Sequence, residues 1–208
     1  RRGDGLNLGQ GSCDLPTPDP IKTGAVAAID GDQSIYTAYN GIARLRQGSL
    51  AKAQRCNGIP ATDDGEVMVS AGSTGAFAAT VLALCNPGDE VILFEPFYGY
   101  HTGILKLFGV TPVAVPLQAP DWAGDFEALA AAITPRTKAV VVCTPANPSG
   151  KVWTEAELLQ MLALAERHDL WLVTDEIYEY MTYDHHRHVS MASLPGAYER
   201  TVTLSGFS

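Results

Sequence analysis

The stretch Ala139-Val140-Val141-Val142-Cys143-Thr144-Pro145-Ala146-Asn147-Pro148-Ser149-Gly150-Lys151 decides the architecture of this chain. It opens with an uninterrupted apolar run built on three successive valines. β-Branched residues fit a pleated surface, and an apolar run without alternation marks a strand covered on both faces. Thr144 and Pro145 close the run, and Pro148, Ser149 and Gly150 carry turn chemistry. Strands of this kind belong inside a parallel sheet, with helices packed on either side.

The same grammar extends in both directions. Downstream, Thr154-Glu155-Ala156-Glu157 reads as a capping box, because Thr154 can bond the Glu157 amide while the Glu157 carboxylate reaches back. The helix it starts runs to about His168, with Leu158, Met161, Leu162 and Ala165 at helical spacing. Leu170-Trp171-Leu172-Val173-Thr174 is the next buried strand, and Thr201-Val202-Thr203-Leu204 is another. Upstream, a helix over 125–133 follows a strand over 111–115. A helix over 100–108, ended by Gly109, follows a strand over 90–94. Further back lie a helix over 75–85, a short strand over 67–69 and a helix over 45–55. Residues 1–33, rich in Gly, Pro and Asp, form an arm with one short helix over 21–29. The expected fold is α/β, a three-layer α/β/α domain over 34–208 with a mostly parallel sheet.

Bulk properties narrow the function. The 208 residues are 46% hydrophobic and 18% charged, enough to bury a substantial core. A net charge of -9 leaves no basic face for neutralising phosphates, which argues against nucleic acid as a partner. No apolar stretch reaches bilayer length, and Arg1-Arg2-Gly3-Asp4-Gly5 leads into no signal-peptide core, so a cytoplasmic protein without a membrane span is expected. The four cysteines lack metal or disulfide spacing, and Cys85 and Cys143, inside apolar runs, are expected to be buried thiols. His185-His186-Arg187-His188 reads as a solvated loop rather than a metal site.

In sheets of this type ligands bind beyond the carboxyl ends of the strands. Ser70-Ala71-Gly72-Ser73-Thr74-Gly75 precedes a helix, where free amides and hydroxyls suit a phosphate or an ordinary helix cap equally. Glu95-Pro96-Phe97-Tyr98 places an aromatic at a strand end, for stacking on a planar ligand or for core packing. Asn147 sits between two prolines, rigid enough for a directed hydrogen bond and also typical of an Asn-Pro turn. Asp175, at the tip of a buried strand, needs a donor or cationic partner, and Tyr178 shares its space if a helix follows; a helix-capping aspartate is the alternative.

Taken in order, these segments resemble the fold-type-I, class I/II pyridoxal-phosphate aminotransferases, and most closely the kynurenine/glutamine/methionine aminotransferase branch. The motifs are Gly72-Ser73-Thr74, Glu95-Pro96-Phe97-Tyr98, Thr144-Pro145-Ala146-Asn147-Pro148-Ser149-Gly150-Lys151, Thr174-Asp175-Glu176-Ile177-Tyr178 and Ser205-Gly206-Phe207-Ser208. Leu8-Gly9-Gln10-Gly11, Arg187-His188-Val189-Ser190 and Leu194-Pro195-Gly196 add to it. The resemblance implies pyridoxal 5'-phosphate as cofactor, and transamination between an amino acid and a 2-oxo acid. It implies that Ser73 and Thr74 bind the phosphate and Tyr98 stacks on the ring. Asp175 would pair with the ring nitrogen, and Asn147 and Tyr178 would donate to the ring's phenolic oxygen. It also implies a homodimer in which Tyr36 reaches the phosphate of the other subunit, and a place for Gly11 and Asn147 beside the substrate carboxylate.

The sequence departs from the family pattern at three places. Ser12-Cys13-Asp14 stands where a Pro-Asp pair is usual, and Gly75 where Glu or Asn is common. The family motif also continues from Gly-Phe-Ser to the cofactor-bearing lysine, which is expected just after Ser208; Lys22, Lys52, Lys106, Lys138 and Lys151 all lie in other contexts. The same cofactor residues would serve a carbon–sulfur β-lyase, and a catalytically inactive relative is the third reading. Nucleotide-binding folds are disfavoured, since neither G-x-x-x-x-G-K-[ST] nor G-x-G-x-x-G occurs.

Overall fold

The valine run is β3, Thr137–Cys143, buried along most of its length. It pairs in parallel with β1 (Glu90–Glu95) on one side and β4 (Trp171–Asp175) on the other. β2 (Thr111–Pro116) lies outside β1 and β5 (Thr201–Leu204) outside β4, giving the order β2-β1-β3-β4-β5. Every pairing is parallel, so the carboxyl ends of all five strands emerge along one edge.

These features come from a computed structural model, which describes residues 11, 15–33 and 35–207. The chain forms two compact units, Arg1–Ala38 and Tyr39–Ser208. The first contains α1 (Asp19–Asp30), which starts with proline in its first turn and buries none of its residues; Ile21, Val26 and Ile29 are exposed.

The second unit holds the sheet together with α2 (Ala43–Asn57), α3 (Gly72–Leu84), α4 (Gly99–Leu107), α5 (Phe126–Ala132) and α6 (Glu155–His168). Successive strand side chains point to opposite faces. Ile92, Val140, Val142 and Leu172 therefore enter one core, with Leu129 of α5 and Leu158, Met161 and Leu162 of α6. Val91, Leu93, Val141 and Val173 enter the other, with Phe77 and Val81 of α3 and Leu105 of α4. Each such side chain contributes about 1.5–3 kcal/mol when fully buried, so the sheet is held from both faces. The result is the three-layer α/β/α arrangement expected.

Helix α6 has the capping box read from its sequence. The Glu157 amide donates to Thr154 Oγ1 at 3.3 Å, and the Thr154 amide donates to Glu157 Oε2 at 2.8 Å. It ends with Asp169 in the left-handed region at φ 51.

Two expectations need correction. Residues 67–69 are extended but join no strand ladder; they follow a one-turn 3-10 helix, Asp64–Glu66, and the Val69 amide donates to the Asn40 carbonyl. Three apolar residues are too few to specify a register. Beyond β4 the chain makes successive turns over 177–180 rather than a helix.

His188 also departs from the solvated loop proposed for it. Its side chain is only 10% exposed, because its Nε2 lies 2.9 Å from the buried carboxylate of Glu176, to which Ser190 also donates. Among the described residues, no helix is long and apolar enough to cross a membrane.

Candidate active site

Parallel pairing brings the ends of β1, β3 and β4 together, and with them Tyr98, Asn147 and Asp175. Asp175 is the last residue of β4 and its side chain is 2% exposed. A carboxylate so deeply buried requires donors. It has three. The Tyr100 hydroxyl donates to Oδ2 at 2.6 Å, His101 Nε2 stands 3.1 Å from the same oxygen, and the Ile177 amide donates to Oδ1 at 3.3 Å. Burial pushes the Asp175 carboxyl up, but the bonds from His101 and Tyr100 outweigh burial and hold it below the ordinary aspartate range. The group is ionised at neutral pH.

The same arrangement acts on its neighbours. Burial first, and then the Asp175 charge, push the Tyr100 phenol well above the ordinary tyrosine range, so it remains a hydrogen donor. Burial and the same charge push the Cys143 thiol up to about 12. Cys143 is only partly covered in the structure, and burial pushes Cys85 up to about 11.

Asn147 follows β3 in the loop closed by Gly150 at φ 71, where the Gly150 amide donates to the Ala146 carbonyl. Lys151 steadies this loop by donating to Glu157 Oε1 at 2.6 Å, with its ammonium 5.0 Å above the Trp153 ring. The Asn147 side-chain amide donates to the Tyr178 hydroxyl at 3.3 Å. Two residues that the sequence separates by 31 positions thus form one donor pair beside Asp175.

Tyr98 is the residue before α4 and is half exposed. Its ring meets Tyr100 edge-on at 5.5 Å. Ser73 and Thr74 lie in the first turn of α3, which begins three residues earlier than the apolar pattern indicated. Gly72 sits at φ +69, in the left-handed region glycine tolerates, and a side chain there would meet open space. The Gly72 amide donates to the Ser70 carbonyl and the Gly75 amide to the Ala71 carbonyl, which leaves the Ser73 and Thr74 amides to receive an anion.

Tyr36 and Gly11 belong to the first unit, where both are exposed. Ser12, Cys13 and Asp14 lie outside the described residues, as does Ser208. Ser205 donates to Glu179 Oε1 at 3.3 Å. Glu179 also receives Lys52, and Asn57 at 2.6 Å, so α2, the Tyr178 turn and the end of β5 meet on one carboxylate.

The sequence pattern of the family described as aminotransferase class I and II matches residues 3–208. The chain belongs to this family. Human kynurenine–oxoglutarate transaminase 1 is 37% identical over 214 residues, which is 97% of this chain and 51% of the human protein. The structure of N-succinyldiaminopimelate aminotransferase from Mycobacterium tuberculosis superposes with a TM-score of 0.91 at 39% identity, covering 95% of this chain and 52% of that one. YbdL from Escherichia coli, described as having a methionine aminotransferase function, superposes with a TM-score of 0.92 at 31% identity, covering 97% and 53%. The chain spans about half the length of the curated relatives it matches.

Class I and II aminotransferases use pyridoxal 5'-phosphate, and the residues of this chain fit it. They comprise an anion-accepting helix start, an exposed aromatic face, an ionised buried carboxylate and a pair of polar donors. Tyr100 and His101 were not singled out from the sequence, where they read only as part of an aromatic helix start. Their cue was the demand of a buried Asp175 for partners.

Proposed function

We propose that this chain is the cofactor-binding part of an enzyme that transfers an amino group between an amino acid and a 2-oxo acid. The observation that carries the reading is the buried Asp175 at the tip of β4, held by Tyr100 and His101, with Asn147, beyond β3, bonded to Tyr178, beyond β4. When bound, pyridoxal 5'-phosphate supplies a protonated ring that takes up the electron pair left at the substrate α-carbon. Asp175 keeps the ring nitrogen protonated. Asn147 and Tyr178 would donate to the phenolic oxygen, and Asn147 would also face the substrate carboxylate. Ser73 and Thr74, with the α3 amides, hold the phosphate. Tyr98 would stack on one face of the ring.

Residues 34–208 form the cofactor-binding domain in this reading, and 1–33 an arm. The protein is a cytoplasmic homodimer, with Tyr36 serving the phosphate of the other subunit. The coverage of about half of each relative supports a longer polypeptide, whose remaining part supplies the lysine and completes the substrate pocket.

An assay of the full-length protein tests the activity. Keto-acid-dependent amino transfer from an amino-acid donor is the expected result. Release of pyruvate and ammonia from a cysteine conjugate, without amino transfer, would point to β-elimination instead.

A further inference from the structure

Asp175 offers about four lone-pair positions, two on each oxygen. Oδ2 already accepts from Tyr100 at 2.6 Å and from His101 at 3.1 Å. Oδ1 accepts from the Ile177 amide at 3.3 Å, a long contact that leaves one position on this oxygen. Tyr100 gives by far the shortest of the three bonds.

Its ring is fixed independently of that bond. It meets Phe77 edge-on at 5.8 Å and Tyr98 edge-on at 5.5 Å. Phe77 is fully buried in α3, the helix whose first turn carries Ser73 and Thr74. Tyr100 therefore joins α3, the helix that opens with the phosphate turn, through Phe77, to the ring-nitrogen partner Asp175.

We propose that Tyr100 is a positioning residue for the ring nitrogen: its phenol saturates Asp175 Oδ2 together with His101, and so assigns the nitrogen to Oδ1. This rests on the reading of Asp175 as the nitrogen's partner. The bond has a chemical consequence as well. A donor on Oδ2 stabilises the carboxylate, which makes it a weaker base. The shared proton then stays on the ring nitrogen, where it is needed. Without the phenol, Asp175 becomes more basic and the proton moves toward it.

Tyr100→Phe keeps the ring and its contacts with Phe77 and Tyr98 and removes only the hydroxyl. The test uses the full-length protein loaded with pyridoxal 5'-phosphate labelled with 15N in the ring. In the parent protein the ring-nitrogen resonance is expected at its protonated position. In Tyr100→Phe it moves toward the unprotonated position, and kcat falls about 10-fold, as loss of one charge-assisted hydrogen bond would cause, while KM for the amino acid stays within about twofold. The thermal midpoint of the cofactor-free variant reports folding separately. A resonance and a kcat unchanged by the substitution would overturn the proposal and leave the role of Asp175 intact. A parent protein that binds no cofactor, or whose ring nitrogen is unprotonated, would overturn the reading of Asp175 itself and this inference with it. His101→Gln, which removes the other donor on Oδ2, is expected to move the resonance in the same direction. An opposite movement would also contradict a shared role for the two donors.

Discussion

Replacing Asp175 with asparagine removes one charge and almost no volume. In the structure Asp175 receives two side-chain donors on one oxygen and a backbone amide on the other. Hydrogen bonds to a charged acceptor contribute about 1.5–3 kcal/mol and neutral ones about 0.5–1.5 kcal/mol, so the Tyr100 and His101 bonds together weaken by about 2 kcal/mol. The desolvation cost of a buried charge, several kcal/mol, disappears in the same step. Stability of the cofactor-free protein should therefore change by no more than about 2 kcal/mol in either direction. The ring nitrogen has no comparable compensation. It loses a charged partner in a site where water is excluded, and about 3 kcal/mol, roughly 100-fold, is expected to vanish from cofactor binding or from turnover. Urea denaturation of the cofactor-free protein measures the first quantity; fluorescence titration with cofactor and steady-state kinetics measure the second. Asp175→Asn protein that keeps cofactor affinity and turnover within about threefold would refute the role given to this residue. So would a variant in which the only loss is stability, since that would make the carboxylate structural.

Three further outcomes follow from the same contacts. Trp153 is fully buried and packs 4.7 Å from Phe94, so Trp153→Ala should lose about 3–5 kcal/mol in chemical denaturation; an unchanged midpoint would contradict this core. The Asp175 carboxyl is held below its unfolded value of about 3.9, so its contribution to stability is complete above that pH and is lost only as pH falls through the lower folded value. Denaturation midpoints measured down the acid range should show this component in the parent and not in Asp175→Asn. Cys143, with its thiol pushed up to about 12, should alkylate far more slowly at neutral pH than the exposed Cys56, as peptide mass mapping after brief iodoacetamide treatment would show.

The sheet was legible because its central strands are continuous apolar runs. Residues 139–143, 170–174 and 201–204 carry enough apolar, β-branched or aromatic residues to be recognised without neighbours, and the capping box at Thr154 marked a helix start by chemistry alone. Residues 67–69 were misread because three apolar residues look the same in a strand and in an extended segment bonded to Asn40. At the site, Asp175, Asn147, Tyr98 and Ser73 were each visible as residues following strands or opening a helix. What joins them was not. Tyr100 and His101 lie 75 and 74 residues from Asp175, and nothing local in α4 announces which way they point. His188 shows the same limit, since a polar loop sequence conceals a side chain that turns inward to Glu176. Local patterns specify elements, whereas partners across the sheet depend on its strand order.

The claim at the centre of this account is that the strand ends form a bed for pyridoxal 5'-phosphate, whose attachment point is proposed to be a lysine beyond Ser208. Loading the full-length protein with the cofactor, reducing it with borohydride and mapping the modified peptide by mass spectrometry tests this directly. The account predicts an absorbance band of bound cofactor that reduction removes, and one pyridoxyl group on the lysine next to the Ser205-Gly206-Phe207-Ser208 segment. No bound cofactor, or modification confined to Lys22, Lys52, Lys106, Lys138 or Lys151, would contradict it.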